Sequence, residues 1–207
     1  MYIIIRCVIT VLICIFLRIL ISKSNPKHRR GTLFGTILGM VVFTSFLFYI
    51  PFENLFVTFD SPITAYNYYH VGDTAIDVRI DGENSSYVID CESESKSTYF
   101  IIPKVEDGWK LPTLLNNQFV AFASSDKITA DVIQYKNTKD YYVVIDTNVE
   151  GLSISDDYNT EFRSSIIYDN YGVITKILYY AYIPYFDSQY TITANGNKLE
   201  FQTMPSF

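Results

Sequence analysis

The chain opens with long unbroken apolar runs and then changes to short alternating stretches. Residues 2–22, YIIIRCVITVLICIFLRILIS, form one run interrupted by Arg6 and Arg18. Residues 33–51, LFGTILGMVVFTSFLFYIP, form a second run without charge. A helix rises about 1.5 Å per residue, so a run of this length covers roughly 28 Å, close to the hydrocarbon thickness of a bilayer. Both runs are expected to be transmembrane helices. The segment between them, residues 23–32, carries Lys23, Lys27, Arg29 and Arg30, and short basic loops stay cytoplasmic. The expected topology is a two-helix hairpin, multi-pass in the plasma membrane, with residues 53–207 extracytoplasmic. Arg6 and Arg18 lie within a turn of a helix end, where they are expected to snorkel to headgroups; a buried functional charge is the alternative. No small-residue cleavage site follows the first run, and Ile13 precedes Cys14 where a lipoprotein signal has a small residue, so an uncleaved helix is expected.

Beyond Phe52 the period shortens to two. Ala75-Ile-Asp-Val-Arg-Ile80 places Ile76, Val78 and Ile80 on one face, and Asp81-Gly82 supplies turn chemistry. Further strands are expected at 54–60, 86–91, 97–103, 118–123, 128–135, 141–147, 173–183 and 189–194. Tyr190–Ala194 and Lys198–Gln202 flank Asn195-Gly196-Asn197, the signature of a hairpin. One short helix is expected near Leu111–Gln118, opened by Pro112. Strand-length runs at 8–12 residue intervals, without long amphipathic helices between them, predict an antiparallel β-sandwich, Ig-like in general architecture, over residues 53–207. Two lobes split near Asn137–Asp140 are the alternative to one unit. Phe52, Phe56, Phe59, Tyr66, Tyr68 and Tyr69 serve either as an interfacial aromatic belt or as strand-core residues.

Charge follows the same division. The formal net charge is −6, yet all 22 acids fall between Glu53 and Glu200, and residues 1–52 hold six of the 16 bases. The remaining ten bases leave residues 53–207 at −12. A nucleic-acid binder built on a basic patch is excluded. Three cysteines are too few for a disulfide scaffold or a thiolate metal cluster.

Candidate chemistry is sparse. His70 is the one histidine after the apolar runs, and it sits beside Tyr68 and Tyr69, as a hydrogen-bonded strand residue would. Cys91 lies between Asp90 and Glu92, which disfavour a thiolate, and no TLxTC-like stretch of a sortase-type enzyme surrounds it. Ser93-x-x-Lys96 and Ser124-x-x-Lys127 match a serine–lysine pattern without its companion elements. Asp156-Asp157-Tyr-Asn159-Thr-Glu161 and Asp81-Gly-Glu83-Asn84 offer oxygens to calcium but lack the distal ligand pattern of a built loop, so solvated turns are expected. No catalytic residue, metal or cofactor is assigned.

Two features point instead to contact surfaces. Gly31, Gly35 and Gly39 repeat at four-residue spacing, a face on which another helix can approach closely: the first helix, a second copy, or another membrane protein. Tyr179, Tyr180, Tyr182 and Tyr185 cluster around Ile183-Pro184, and exposed tyrosine suits contact with a protein or glycan. The layout resembles that of small membrane-anchored bacterial proteins, as layout only. The expected function is a non-enzymatic, membrane-anchored protein with the lipid bilayer as one partner and an acidic β-sandwich as a binding module. An accessory subunit of a transporter or secretion complex, docking through the glycine face, is the alternative; a hydrolase using Ser93, Cys91 or Ser124 is the remote one.

Overall fold

The computed structural model describes residues 2–23, 29–70, 76–93, 96–113, 117–125, 127–168 and 171–204. The first apolar run is helix α1, Tyr2–Lys23, and the second is α2, Arg29–Tyr49. A core helix of a soluble domain buries its apolar side chains; α1 exposes Val8, Val11, Leu12, Ile15 and Phe16. Its stretch Ile4–Lys23 is long and apolar enough to cross a membrane. In α2 the described apolar stretch is Arg30–Phe46, which at 1.5 Å per residue covers about 26 Å and falls short of a hydrocarbon core of about 30 Å. Among the described residues there is therefore one such helix, not two. The multi-pass plasma-membrane expectation is corrected accordingly, and the extracytoplasmic placement of residues 53–207, which rested on two crossings, loses its basis. Of the basic segment 23–32, residues 24–28 lie outside the described residues.

A 3-10 helix, Phe52–Leu55, follows Pro51, where a strand over 54–60 was expected; of that segment Phe59 alone makes a strand-like bridge, to Trp109. Helix α3, Pro62–Tyr69, comes next. Its start is written locally: Ser61 accepts from the Thr64 N–H, the Thr64 hydroxyl reciprocates, and Pro62 occupies the first turn where no N–H is needed. The helix expected near 111–118 does not form where the chain is described, since residues 111–113 are irregular and Asn117 already belongs to a strand.

The strands make three antiparallel sheets. The first holds β1 (Val78–Asp81), β2 (Ser85–Ser93), β3 (Lys96–Val105) and β4 (Gly108–Trp109) in that order. The second includes β5 (Asn117–Ser125), β6 (Ile128–Tyr135), β7 (Tyr141–Thr147), β9 (Arg163–Tyr168), β10 (Ile174–Ile183) and β13 (Gln202–Thr203), ordered β13-β5-β6-β7-β10-β9. The third holds β8 (Ile154–Asp156), β11 (Thr191–Ala194) and β12 (Asn197–Glu200), with β11 central.

Alternation along these strands sorts the core into layers. Tyr87, Ile89 and Ile101 of the first sheet meet Ile133, Tyr142 and Leu178 of the second. The opposite face of the second sheet, with Val132, Val143, Ile145 and Ile183, meets Ile192, Ala194 and Leu199. The outer face of the first sheet, Val88, Phe100 and Ile102, is covered by Ala65 and Tyr66 of α3. The order is thus α3, first sheet, second sheet, third sheet. This corrects the β-sandwich expectation: the middle sheet is buried on both faces, as its unbroken run Tyr141-Tyr-Val-Val-Ile145 requires, and the sheets are neither one sandwich nor a closed barrel. A bulge between Phe119 and Ala121 turns β5, so that Phe119 faces one core and Ala121 the other.

Candidate functional site: an aromatic and acidic cleft

The third sheet and the loops beside it shape an open cleft of about 640 Å³. Three chain segments line it: Asp157 and Tyr158 after β8, Asp187–Thr191 ahead of and into β11, and Lys198, Glu200 and Phe201 at the end of β12. Carboxylates tie the first two of these to the neighbouring backbone and side chains. Asp156 Oδ1 accepts from the N–H groups of Tyr158 and Thr160 at 3.1 and 2.7 Å, and its Oδ2 accepts from the Tyr190 hydroxyl at 2.9 Å. Asp157 Oδ2 accepts from both the N–H and the hydroxyl of Thr191, at 2.8 and 2.7 Å. Asp187 accepts from the Gln189 N–H at 2.7 Å and the Tyr158 hydroxyl at 3.1 Å. The turn weighed for calcium and expected to be a solvated one uses its carboxylates as acceptors for its own backbone and for the residues at the start of β11. Among the described residues no group of three or more His, Cys, Asp or Glu is placed to hold a metal.

Aromatic rings form the floor. Tyr158 lies 4.4 Å from Tyr185 and 5.0 Å from Tyr190 by ring centroids, and Tyr190 stacks on Phe201 at 5.5 Å with Phe186 edge-on. Burial and the adjacent Asp156 raise the Tyr190 phenol far above its usual value. Tyr158 is raised as well, by desolvation first and then by hydrogen bonding with Tyr185 and Asp187. Both rings are therefore neutral donors at any physiological pH. Tyr185, packed against Tyr158 beside the cleft, is 51% exposed.

The four tyrosines singled out from the sequence do not converge. Tyr179 faces the third sheet, and its hydroxyl accepts from the Leu152 N–H at 3.1 Å. Tyr180 and Tyr182 point to the opposite face of β10 and line a separate cleft of about 350 Å³ with Arg79, Asp81 and Arg163. Burial, with Asp140 and Glu83 nearby, pushes the Tyr182 phenol up to about 12. Tyr185 alone touches the lining of the larger cleft, packing against Tyr158 beside it. Phe186, Tyr190 and Phe201 lie within 15 residues of one another, but Tyr158 comes from a turn 28 residues before Phe186, and nothing local in the sequence joins that turn to them.

The other sequence candidates fall elsewhere. His70 and Asp90 share the hydroxyl of Tyr66, which donates to Asp90 at 2.6 Å and lies 3.1 Å from His70 Nδ1. This seats α3 on the first sheet. Cys91 is half-buried with Sγ 3.4 Å from Ser97 Oγ, and burial pushes its thiol up, away from a nucleophile. Ser124 is exposed on β5; the side chains of Ser93 and Lys96 lie outside the described part. A Cβ at Gly31, Gly35 or Gly39 would meet nothing within 4 Å. Gly35 and Gly39 line a groove of about 440 Å³ with Thr32, Thr36, Ile13 and Leu17, so α1 does not close over them.

Arg6 corrects the snorkelling expectation. Its guanidinium is fully buried, donates to Glu53 Oε2 at 2.7 Å and to the Ile50 carbonyl at 3.2 Å, and lies 5.3 Å from the Phe52 ring centroid. Glu53 is itself only 5% exposed. A charge in the apolar run thus ties α1 to the start of the β-rich domain. Comparison of the chain with protein-family models, with curated proteins and with solved structures gave no match.

Proposed function

We propose that the protein is a non-enzymatic, membrane-tethered recognition module whose ligand surface is the Tyr158/Tyr185 cleft. The chain is a β-rich domain with one candidate membrane-length apolar helix and free cysteines. The observation that carries the proposal is the open cleft lined by Tyr158, Tyr190 and Phe201, with the exposed ring of Tyr185 packed against Tyr158 beside it. Aromatic faces with flanking carboxylates, an amide and one lysine suit the C–H faces and hydroxyls of a sugar. Asp157, Asp187 and Glu200 outnumber Lys198, so the ligand is a neutral or amino-bearing glycan and not an anionic one.

Full-length protein in detergent, titrated with a panel of neutral and N-acetylated oligosaccharides, should show saturable binding. Tyr185→Ala should weaken it at least tenfold, or about 1.4 kcal/mol. Absence of binding across the panel, or equal binding by the variant, would remove the proposal. A second function, docking to an apolar partner helix, is supported by the unfilled groove at Gly35 and Gly39. It requires Gly35→Leu and Gly39→Leu to abolish co-purification with membrane partners.

A further inference from the structure

Among the described residues outside α1 and α2, the segment joining the helices to the domain carries the most exposed apolar side chains apart from one tyrosine. Leu55 is 78% and Phe56 82% exposed, and Ile50, Val57 and Ile63 of the same stretch of chain are exposed too. These residues are not on a loose tether. Leu55 ends the 3-10 helix that contains Glu53, and the buried Arg6–Glu53 ion pair locks that helix to α1. The Asn54 side chain pairs with Leu111 in both directions, donating to its carbonyl at 3.0 Å and accepting from its N–H at 2.7 Å. Lys110 Nζ donates to the Val57 carbonyl at 2.9 Å, and Phe59 and Trp109 exchange backbone hydrogen bonds at 2.9 Å.

Position decides what covers this patch. The apolar stretch of α1 begins at Ile4, so Arg6 lies within a turn of its end. If α1 spans a bilayer, the boundary between hydrocarbon and headgroups falls at the level of Arg6 and its partner Glu53. Leu55 and Phe56 are two and three residues from Glu53. The following residues of the same stretch meet Lys110, which bonds Val57, and Trp109, which pairs with Phe59 and carries Lys104 Nζ 5.8 Å from its ring centroid. Lysine and tryptophan beside exposed leucine and phenylalanine is the composition that occupies a membrane interface.

We infer that Leu55, Phe56, Val57 and Ile63 form a membrane-seating wedge that inserts into the bilayer interface and holds the β-rich domain on the lipid surface. This inference rests on the membrane tether of the proposed function. The wedge orients the domain: α3 and the first sheet face the membrane, and the glycan cleft lies beyond the second sheet, in the layer farthest from α3.

The chain contains a single tryptophan, Trp109, which makes depth measurable. Full-length protein is reconstituted into phosphatidylcholine–phosphatidylglycerol vesicles containing lipids brominated at shallow or deep acyl positions. In Phe56→Trp on a Trp109→Phe background, shallow bromines should quench the emission by about half or more, as for a side chain at the interface. In the wild type, Trp109 should be quenched more weakly, and Leu55→Gln with Phe56→Gln should reduce that quenching further while near-UV circular dichroism stays unchanged. Incorporated protein whose position-56 tryptophan is not quenched would overturn the wedge and leave the tether standing. Unquenched protein in which the glutamine variants change the oligomeric state would place a second copy on the patch and overturn it too. Failure of the chain to incorporate would overturn both.

Discussion

Asp140 offers the most direct test of how the sheets are held together. It sits fully buried just before β7, and its carboxylate reaches across to the β1–β2 turn. Oδ2 accepts from the Asn84 N–H at 2.8 Å and the Ser85 hydroxyl at 2.7 Å. Oδ1 accepts from the Glu83 N–H at 3.2 Å and the Asn84 amide at 3.3 Å. Because Ser85 Oγ donates to Asp140, the Tyr142 hydroxyl, 2.7 Å away, donates to Ser85. The perturbation is Asp140→Ala. Two short bonds to a charged acceptor contribute about 1.5–3 kcal/mol each. Removing the buried carboxylate also removes its desolvation cost, so the net loss is about 3–4 kcal/mol.

At about 2–4 °C per kcal/mol for a chain of this size, Tm should fall by about 10 °C. Asp140→Asn keeps one acceptor but turns an amide N–H toward donors, and should cost about 2 kcal/mol. Thermal unfolding of the full chain in detergent, followed by near-UV circular dichroism, reads these shifts. A cycle with Ser85→Ala should show coupling of about 1 kcal/mol or more. A fall below about 2 °C for Asp140→Ala, or strict additivity with Ser85→Ala, would refute the idea that this carboxylate clamps the first sheet to the second.

Alkaline pH should reveal the buried phenols. Tyr87, Tyr142, Tyr158 and Tyr190 are raised by burial and neighbouring acids or phenols, and Tyr182 is pushed up to about 12. A phenol whose folded-state pKa exceeds its unfolded value of about 10 contributes stability that is complete below pH 10 and lost as pH rises through the folded value. Phenolate absorbance should therefore show a group of tyrosines that ionise together with unfolding near or above pH 12; one smooth titration of all tyrosines centred near pH 10 would be incompatible with their burial. At Gly108 the backbone has φ 138° and an added Cβ would stand 2.6 Å from the Phe59 carbonyl oxygen. Gly108→Ala should cost about 2–3 kcal/mol, against about 1 kcal/mol for Gly151→Ala, where φ is 66° and nothing lies within 4 Å. Equal Tm values for the two variants would refute this.

Much of the local structure can be read from neighbouring residues. The limits of β6 and β7 follow from their apolar runs. The β11–β12 hairpin follows from Asn195-Gly196, which take φ of 49° and 79° as the turn demands. Helix α3 carries its own signature in Ser61-Pro62-x-Thr64, although the aromatic run from Tyr66 to Tyr69 equally suits strand core or a membrane interface. The candidate site was far less legible. Tyr185 stands out for its neighbours in sequence, whereas Tyr158, which packs against it, comes from the turn after β8, 27 residues earlier.

The division has a simple physical basis. Periodicity and turn chemistry act over a few residues, so the sequence settles which stretches extend, where they reverse, and that the first quarter is apolar while the rest is acidic. It does not set which strand lies beside which. The pairing of β7 with β10, the return of β13 to β5, and the stacking of three sheets where two were expected all depend on side chains meeting across tens of residues. The same holds for Arg6. Its position in an apolar helix was plain from the sequence, but its burial against Glu53 exists only because the fold brings a carboxylate 47 residues away to the end of that helix.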